Sequence, residues 1–171
     1  GTDNICRNMN NLLAKAYGLE EEGISTYVYT GSYEIPVKTI TGDIKKDLML
    51  IPKVIGVGEI ALSDYRSSKP SFEEFIKIIH EAKVGGILSN KIGIVHIHIG
   101  DSDEGLKYLF DICVNKDINL SQIIPTHVNR NRKLLDSAIE YGKKGGYFVL
   151  TSSYVKGIEE EENLRVSKII P

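Results

Sequence analysis

Short apolar runs alternate along this chain with longer segments in which apolar residues recur every three or four positions. The runs at 24–29, 54–60, 92–99, 123–127 and 147–151 read as β-strands. Between them, Leu12, Leu13, Ala16 and Leu19 predict a helix over 11–22, stopped by Gly23. A short helix is predicted over 43–49. Ser71 opens another, with Glu74 at capping-box spacing and Phe72, Phe75, Ile76, Ile79 and Ala82 on one face. Asp101 is expected to cap a helix through Leu106, Leu109, Phe110 and Cys113. The next helix covers 134–141 and breaks at Gly145-Gly146, and the charged stretch 158–169 reads as helical. Pro125 is unfavourable in a central strand and weakens the 123–127 assignment.

Strands separated by helix-length crossovers favour a barrel or an open doubly wound sheet. A complete (β/α)8 barrel typically needs ~250 residues, and this chain has 171. The expected fold class is therefore α/β, a partial (β/α)8 TIM-type barrel forming a single incomplete domain over 1–171. The chain opens Gly1-Thr2-Asp3 and stops at Ile169-Ile170-Pro171, which reads as a piece of a larger protein.

Composition changes little. With 42% hydrophobic and 26% charged residues, it is that of an ordinary globular protein. A net charge of -2 argues against nucleic acid or a membrane surface as the main partner. Cys6 and Cys113 lack metal or redox spacing and read as free intracellular thiols, in keeping with a cytoplasmic location. No apolar run approaches the ~20 residues of a bilayer span.

The chemistry gathers where strands end, as in parallel α/β sheets generally. Tyr33 follows the first strand, Glu59 closes the second, His98 closes the third and His127 follows the fourth. One carboxylate and two imidazoles on a common rim outline a metal site. In Ile94-Val95-His96-Ile97-His98-Ile99 the period of two puts both histidines on one face. His98, nearer the strand end, is the expected ligand, and His96 is expected behind it or in the core. A carboxylate ending an apolar strand is costly unless paired or bound to a cation, so Glu59 is a ligand or else the salt-bridge partner of Arg66 or Lys53. His127 is followed by Asn129 and Arg130, the latter a forked donor to carboxylates. Tyr33 could donate to a developing oxyanion. His80, inside an amphipathic helix, reads as structural or exposed.

Taken in order, Gly1-Thr2-Asp3, Glu22-Gly23-Ile24-Ser25, Thr30-Gly31-Ser32-Tyr33, Ile40-Thr41-Gly42, Val54-Ile55-Gly56-Val57, Ser63-Asp64-Tyr65-Arg66-Ser67, Val84-Gly85-Gly86, Gly100-Asp101-Ser102 and Pro125-Thr126-His127-Val128-Asn129-Arg130-Asn131 form a series. The series resembles the isoaspartyl dipeptidases (β-aspartyl peptidases) of the amidohydrolase superfamily. That resemblance implies a segment running from after the second barrel strand to before the eighth. It implies that His98 and His127 are metal ligands on strands five and six, and that Tyr33 polarises the scissile carbonyl. Arg66 and Arg130 would hold substrate carboxylates, and Thr2 would line the substrate pocket. Better-known members carry a carboxylated lysine as the metal bridge. Here Gly58-Glu59 stands at that place, with one residue more before Ser63-Asp64, and Glu59 is the expected bridge.

The implied activity is zinc-dependent hydrolysis of the isopeptide bond of β-aspartyl dipeptides, with two zinc ions in the intact enzyme and a homo-oligomeric state. The strand-one histidines and the strand-eight aspartate of the superfamily have no counterpart in this sequence, so the chain alone is expected to be inactive. The alternatives are an amidohydrolase acting on cyclic amides or N-acyl amino acids, a metal-dependent deoxyribonuclease of related fold, and a non-catalytic fragment.

Overall fold

A computed structural model describes residues 7–112, 114 and 118–152. Its centre is a parallel sheet of four strands, β1 (Val28–Thr30), β2 (Val54–Leu62), β3 (Ile94–Ile99) and β4 (Ile123–Thr126), hydrogen-bonded in sequence order. The helices are α1 (Met9–Glu21), α2 (Ile44–Leu50), α3 (Phe72–Ser89), α4 (Lys107–Ile112) and α5 (Arg132–Lys143), with a 3-10 turn at Leu120–Gln122.

The two faces of the sheet differ in chemistry. Val57 pairs with Val95 and Ile60 with Ile97, and these residues join Leu62, Ile99 and Ile123 in a buried layer. Leu48 of α2, Phe75, Ile79 and Ala82 of α3, Leu109 of α4 and Leu134 of α5 complete that layer. It is the apolar contact that holds helices to a parallel sheet. The other face presents Tyr29, Glu59, His96 and His98.

Local chemistry sets the helix ends. Asp43 caps α2 through the Lys46 amide, Ser71 and Glu74 form the capping box of α3, and Asn131 caps α5 through the Leu134 amide.

Three expectations need correction. The first strand starts at Val28 because 24–27 is tied to α1: the Ile24 amide donates to Leu19 O and the Thr26 hydroxyl to Ala16 O. The helix expected from Asp101 begins at Lys107. Residues 101–106 form bends and turns held to the loop after β2 by Ser102 N to Ser63 O and Ser63 Oγ to Gly105 O. The run 147–151 contributes, among the described residues, one bridge between Val149 and Thr126, with the Val149 amide donating to the Pro125 carbonyl. Pro125 itself sits in β4 opposite Ile97. The helix expected over 158–169 lies outside the described residues.

Candidate metal centre and active site

A bulge in β2 sets the face on which Glu59 lies. Val57 stands opposite Val95 and Ile60 opposite Ile97, so two residues of β2, Gly58 and Glu59, face the single residue His96. Simple alternation from Val57 would turn Glu59 toward the helices. The extra residue restores phase, keeping Ile60 in the apolar layer and placing Glu59 with the histidines. Gly58 has φ 149°, and a Cβ there would lie 2.7 Å from His96 O and 2.8 Å from His96 Cβ. Position 58 therefore has no room for a ligand side chain, and the carboxylate belongs to 59.

Glu59 Oε2 lies 3.3 Å from His98 Nδ1 and 3.8 Å from His127 Nε2, while Oε1 lies 3.5 Å from His96 Nδ1. Donor atoms of Glu59, His98 and His127 all fall within 4.8 Å of one another. Glu59 is 7% exposed and His98 3%. The pairings of Glu59 with Arg66 or Lys53 entertained from sequence are not formed: Lys53 binds Glu20 and Arg66 binds Asp64. A carboxylate and two imidazoles this close suit a divalent cation of borderline hardness.

His127 follows β4 at φ 66°, a left-handed conformation that histidine tolerates better than most side chains. Its Nδ1 contacts the Thr151 hydroxyl, which leaves Nε2 toward Glu59. Four residues of the Thr-His-Val-Asn-Arg-Asn block, His127, Asn129, Arg130 and Asn131, each make a distinct contact. Asn129 exchanges two hydrogen bonds with the Thr151 backbone at 2.9 and 2.8 Å. Arg130 reaches His98 Nε2 at 3.3 Å and Asp101 at 3.7 Å, and Asn131 starts α5.

Tyr33 is 2% exposed, its hydroxyl 3.1 Å from His98 Nδ1 and its carbonyl accepting from the Ala61 amide. The loop that carries it is moored by buried Asp47, which accepts from the Thr30 hydroxyl, the Ile40 amide, and the Thr41 amide and hydroxyl. Arg66 grips Asp64 through Nε and Nη2, each at 2.9 Å, stacks over the Tyr33 ring at 4.9 Å and reaches His98 Nε2 at 2.9 Å. Of the expected site residues, Tyr33, Glu59, Arg66, His98, His127 and Arg130 come together around His98, and Thr2 lies outside the described residues. His96 lies on the same face, its Nδ1 3.5 Å from Glu59 Oε1. His80 stays on α3, away from the strand ends.

Sequence reading passed over Asp64, Thr151 and Arg7. The Arg7 guanidinium donates to Gly58 O at 2.9 Å and Tyr29 O at 2.8 Å, supporting the bulge. The Asp-x-Arg spacing of Asp64 and Arg66 was a usable signal, whereas nothing local marks Thr151 or Arg7.

The ionisation of the site follows from these contacts. Burial pushes the Glu59 carboxyl up, but hydrogen bonds from His127 and His98 and the nearby His96 outweigh it and bring it to about 2 from an ordinary 4.5. The Arg66 fork holds Asp64 well below the usual carboxylate range. Both folded-state values are depressed, so between about 2 and 4.5 the unfolded chain binds more protons at Glu59 than the folded one. Stability of the metal-free protein should therefore decline as pH falls through that window, and Glu59→Gln should flatten the decline. Urea midpoints measured from pH 6 down to the acid limit would check this. Equal slopes in the two proteins would refute it.

Two solved structures are similar over nearly the whole chain. The β-aspartyl dipeptidase of the thermophilic, keratin-degrading Fervidobacterium islandicum AW-1 matches with a TM-score of 0.90 and 45% identity across 98% of this chain. Its complex with the dipeptide β-Asp-Leu matches with a TM-score of 0.89 and 46% identity, again across 98%. The chain belongs to the β-aspartyl dipeptidase family. It spans 44% and 42% of the lengths of those β-aspartyl dipeptidase chains. No protein-family model matches it. Among the described residues no helix is long and apolar enough to cross a membrane.

Proposed function

We propose that the protein hydrolyses the isopeptide bond of β-aspartyl (isoaspartyl) dipeptides in a zinc-dependent reaction, and that this chain supplies the part of a (β/α)8 barrel from after its second strand to before its eighth. The strands stand side by side in sequence order without the reversal of a doubly wound sheet, which supports a barrel arc. The observation that carries the function is the meeting at His98 of a Glu-His-His donor set, a phenolic hydroxyl and two guanidinium forks.

Glu59, His98 and His127 would hold the zinc. Bound there, zinc lowers the pKa of a coordinated water and polarises a carbonyl oxygen. The Tyr33 hydroxyl is set to donate to the carbonyl oxygen of the side-chain amide as charge develops on it. Arg66 and Arg130, half-buried fixed cations beside His98, would select substrates by their carboxylates, which match the planar donor fork of a guanidinium. Exposed Met49, Leu50, Val84, Ile87 and Leu88 on α2 and α3 suit a homo-oligomer, and two cysteines without metal or redox spacing suit the cytoplasm.

The test is cleavage of matched β-aspartyl and α-aspartyl dipeptides by the full-length protein, with and without zinc. Zinc-dependent cleavage of the β-isomer alone is expected. Cleavage of neither isomer by zinc-loaded protein would redirect the reading to cyclic amides or N-acyl amino acids. Arg130→Met should lower kcat/KM by about 10²-fold, the value of a charge-assisted hydrogen bond. Its penalty should vanish on a substrate whose carboxylates are amidated, and an equal penalty on both substrates would remove Arg130 from substrate recognition. The 171 residues by themselves should show no β-aspartyl hydrolysis, since no Asp in them matches the superfamily's proton-transferring aspartate. Turnover by the isolated chain in the same assay would overturn that.

A further inference from the structure

His98 touches the proposed centre with one ring nitrogen and a crowded polar cluster with the other. Nδ1 faces Glu59 Oε2 and the Tyr33 hydroxyl. Nε2 faces Asp64 Oδ2 at 3.1 Å, Arg66 Nη2 at 2.9 Å and Arg130 Nη2 at 3.3 Å. We propose that Asp64 is a positioning residue for the metal centre, accepting a hydrogen bond from His98 Nε2–H once an ion takes the place of the Nδ1 hydrogen bond to Glu59, so that the Nδ1 lone pair is presented to the ion. This rests on the proposed function.

The chemistry of the ring decides among the three neighbours. A neutral imidazole that offers one nitrogen to a cation carries its proton on the other, and that nitrogen is then a donor. Arg66 and Arg130 can only donate, so Asp64 is the one acceptor of the three.

Asp64 is built for the task. Its side chain is 4% exposed. Oδ1 accepts from the Arg66 amide at 2.8 Å and from Nε at 2.9 Å, and Oδ2 accepts from Nη2 at 2.9 Å. The Arg66 backbone amide anchors Oδ1 independently of the guanidinium, which leaves Oδ2 facing His98 Nε2. Carboxylate–histidine–metal relays of this kind orient the ring and raise its basicity. One consequence reaches the substrate. With the proton on Nε2, the Arg66 and Arg130 nitrogens lose that neighbour as an acceptor, and a substrate carboxylate is the replacement the proposed reaction supplies.

Asparagine makes a sharp probe. The Arg66 amide and Nε demand an oxygen at the Oδ1 position, which leaves the amide NH2 facing His98 Nε2. That donor favours the opposite tautomer, with the proton on Nδ1 where the ion would bind.

The test measures zinc and cobalt(II) affinity by chelator competition in the full-length protein and in Asp64→Asn, Asp64→Ala, Arg66→Met and His98→Ala. Thermal melts establish that each variant is folded. Both Asp64 variants should bind about 10- to 100-fold more weakly, with Arg66→Met within about threefold of the unmodified protein. The cobalt absorption bands of Asp64→Asn should shift as the His98 ligand is lost. Unchanged affinity in folded Asp64→Asn would overturn the inference, as would an equal loss in Arg66→Met, which would make Asp64 a plain ion-pair partner. If Asp64→Ala does not fold, the isosteric asparagine decides. Equal metal uptake by the unmodified protein and His98→Ala would instead sink the metal reading itself, and the inference with it.

Discussion

Glu59→Ala should reduce zinc-dependent cleavage of β-aspartyl dipeptides by about 10³-fold or more, the kinetic equivalent of the several kcal/mol that metal coordination supplies. Glu59 is buried, anionic across the neutral range and the single carboxylate within reach of both His98 and His127 among the described contacts. Asp64 cannot replace it, being gripped by Arg66 on the far side of the His98 ring. Glu59→Gln, which keeps the shape and removes the charge, should lose nearly as much. The measurements are initial rates on β-Asp-Leu with added zinc, and zinc content after dialysis. A variant that keeps its zinc and cleaves within about tenfold of the unmodified rate would show that the bridging anion comes from elsewhere.

Tyr33→Phe should lower kcat by about 10²- to 10³-fold, the usual cost of removing one donor to a developing oxyanion. KM should move little, because the hydroxyl is to act on charge that appears during reaction. The fold should survive: the ring stays packed under Arg66, and the loop is held by the Tyr33 carbonyl and by Asp47. Steady-state kinetics of both proteins on one β-aspartyl substrate would check it. A fall confined to KM would recast Tyr33 as a binding group.

Much of this site could be read from residue order. Strand alternation places His96 and His98 on one face, and both do face Glu59. The capping box at Ser71 and Glu74 forms as its spacing predicts. The places where reading failed share a cause, which is competition from distant partners. Residues 24–27 have strand composition but are claimed by α1 through Ile24 and Thr26. Asp101 has the makings of a helix cap, yet it faces Arg130 while Ser63 holds the segment behind it in turns. Thr151 and Arg7 are unremarkable in sequence and gain meaning only beside His127 and Gly58.

The sequence by itself determined the α/β class, the capping box that opens the helix at Ser71, the family, and the residue types available for chemistry. Those depend on period, spacing and short-range hydrogen bonding, which are local in the chain. Tertiary structure alone decided which face Glu59 occupies, since one bulged residue inverts the alternation and only pairing with β3 reveals it. It also decided that Asp64 stands behind His98 rather than on the surface. A side chain's role here depends on which nitrogen of a ring it meets, and that is set by packing between strands more than thirty residues apart.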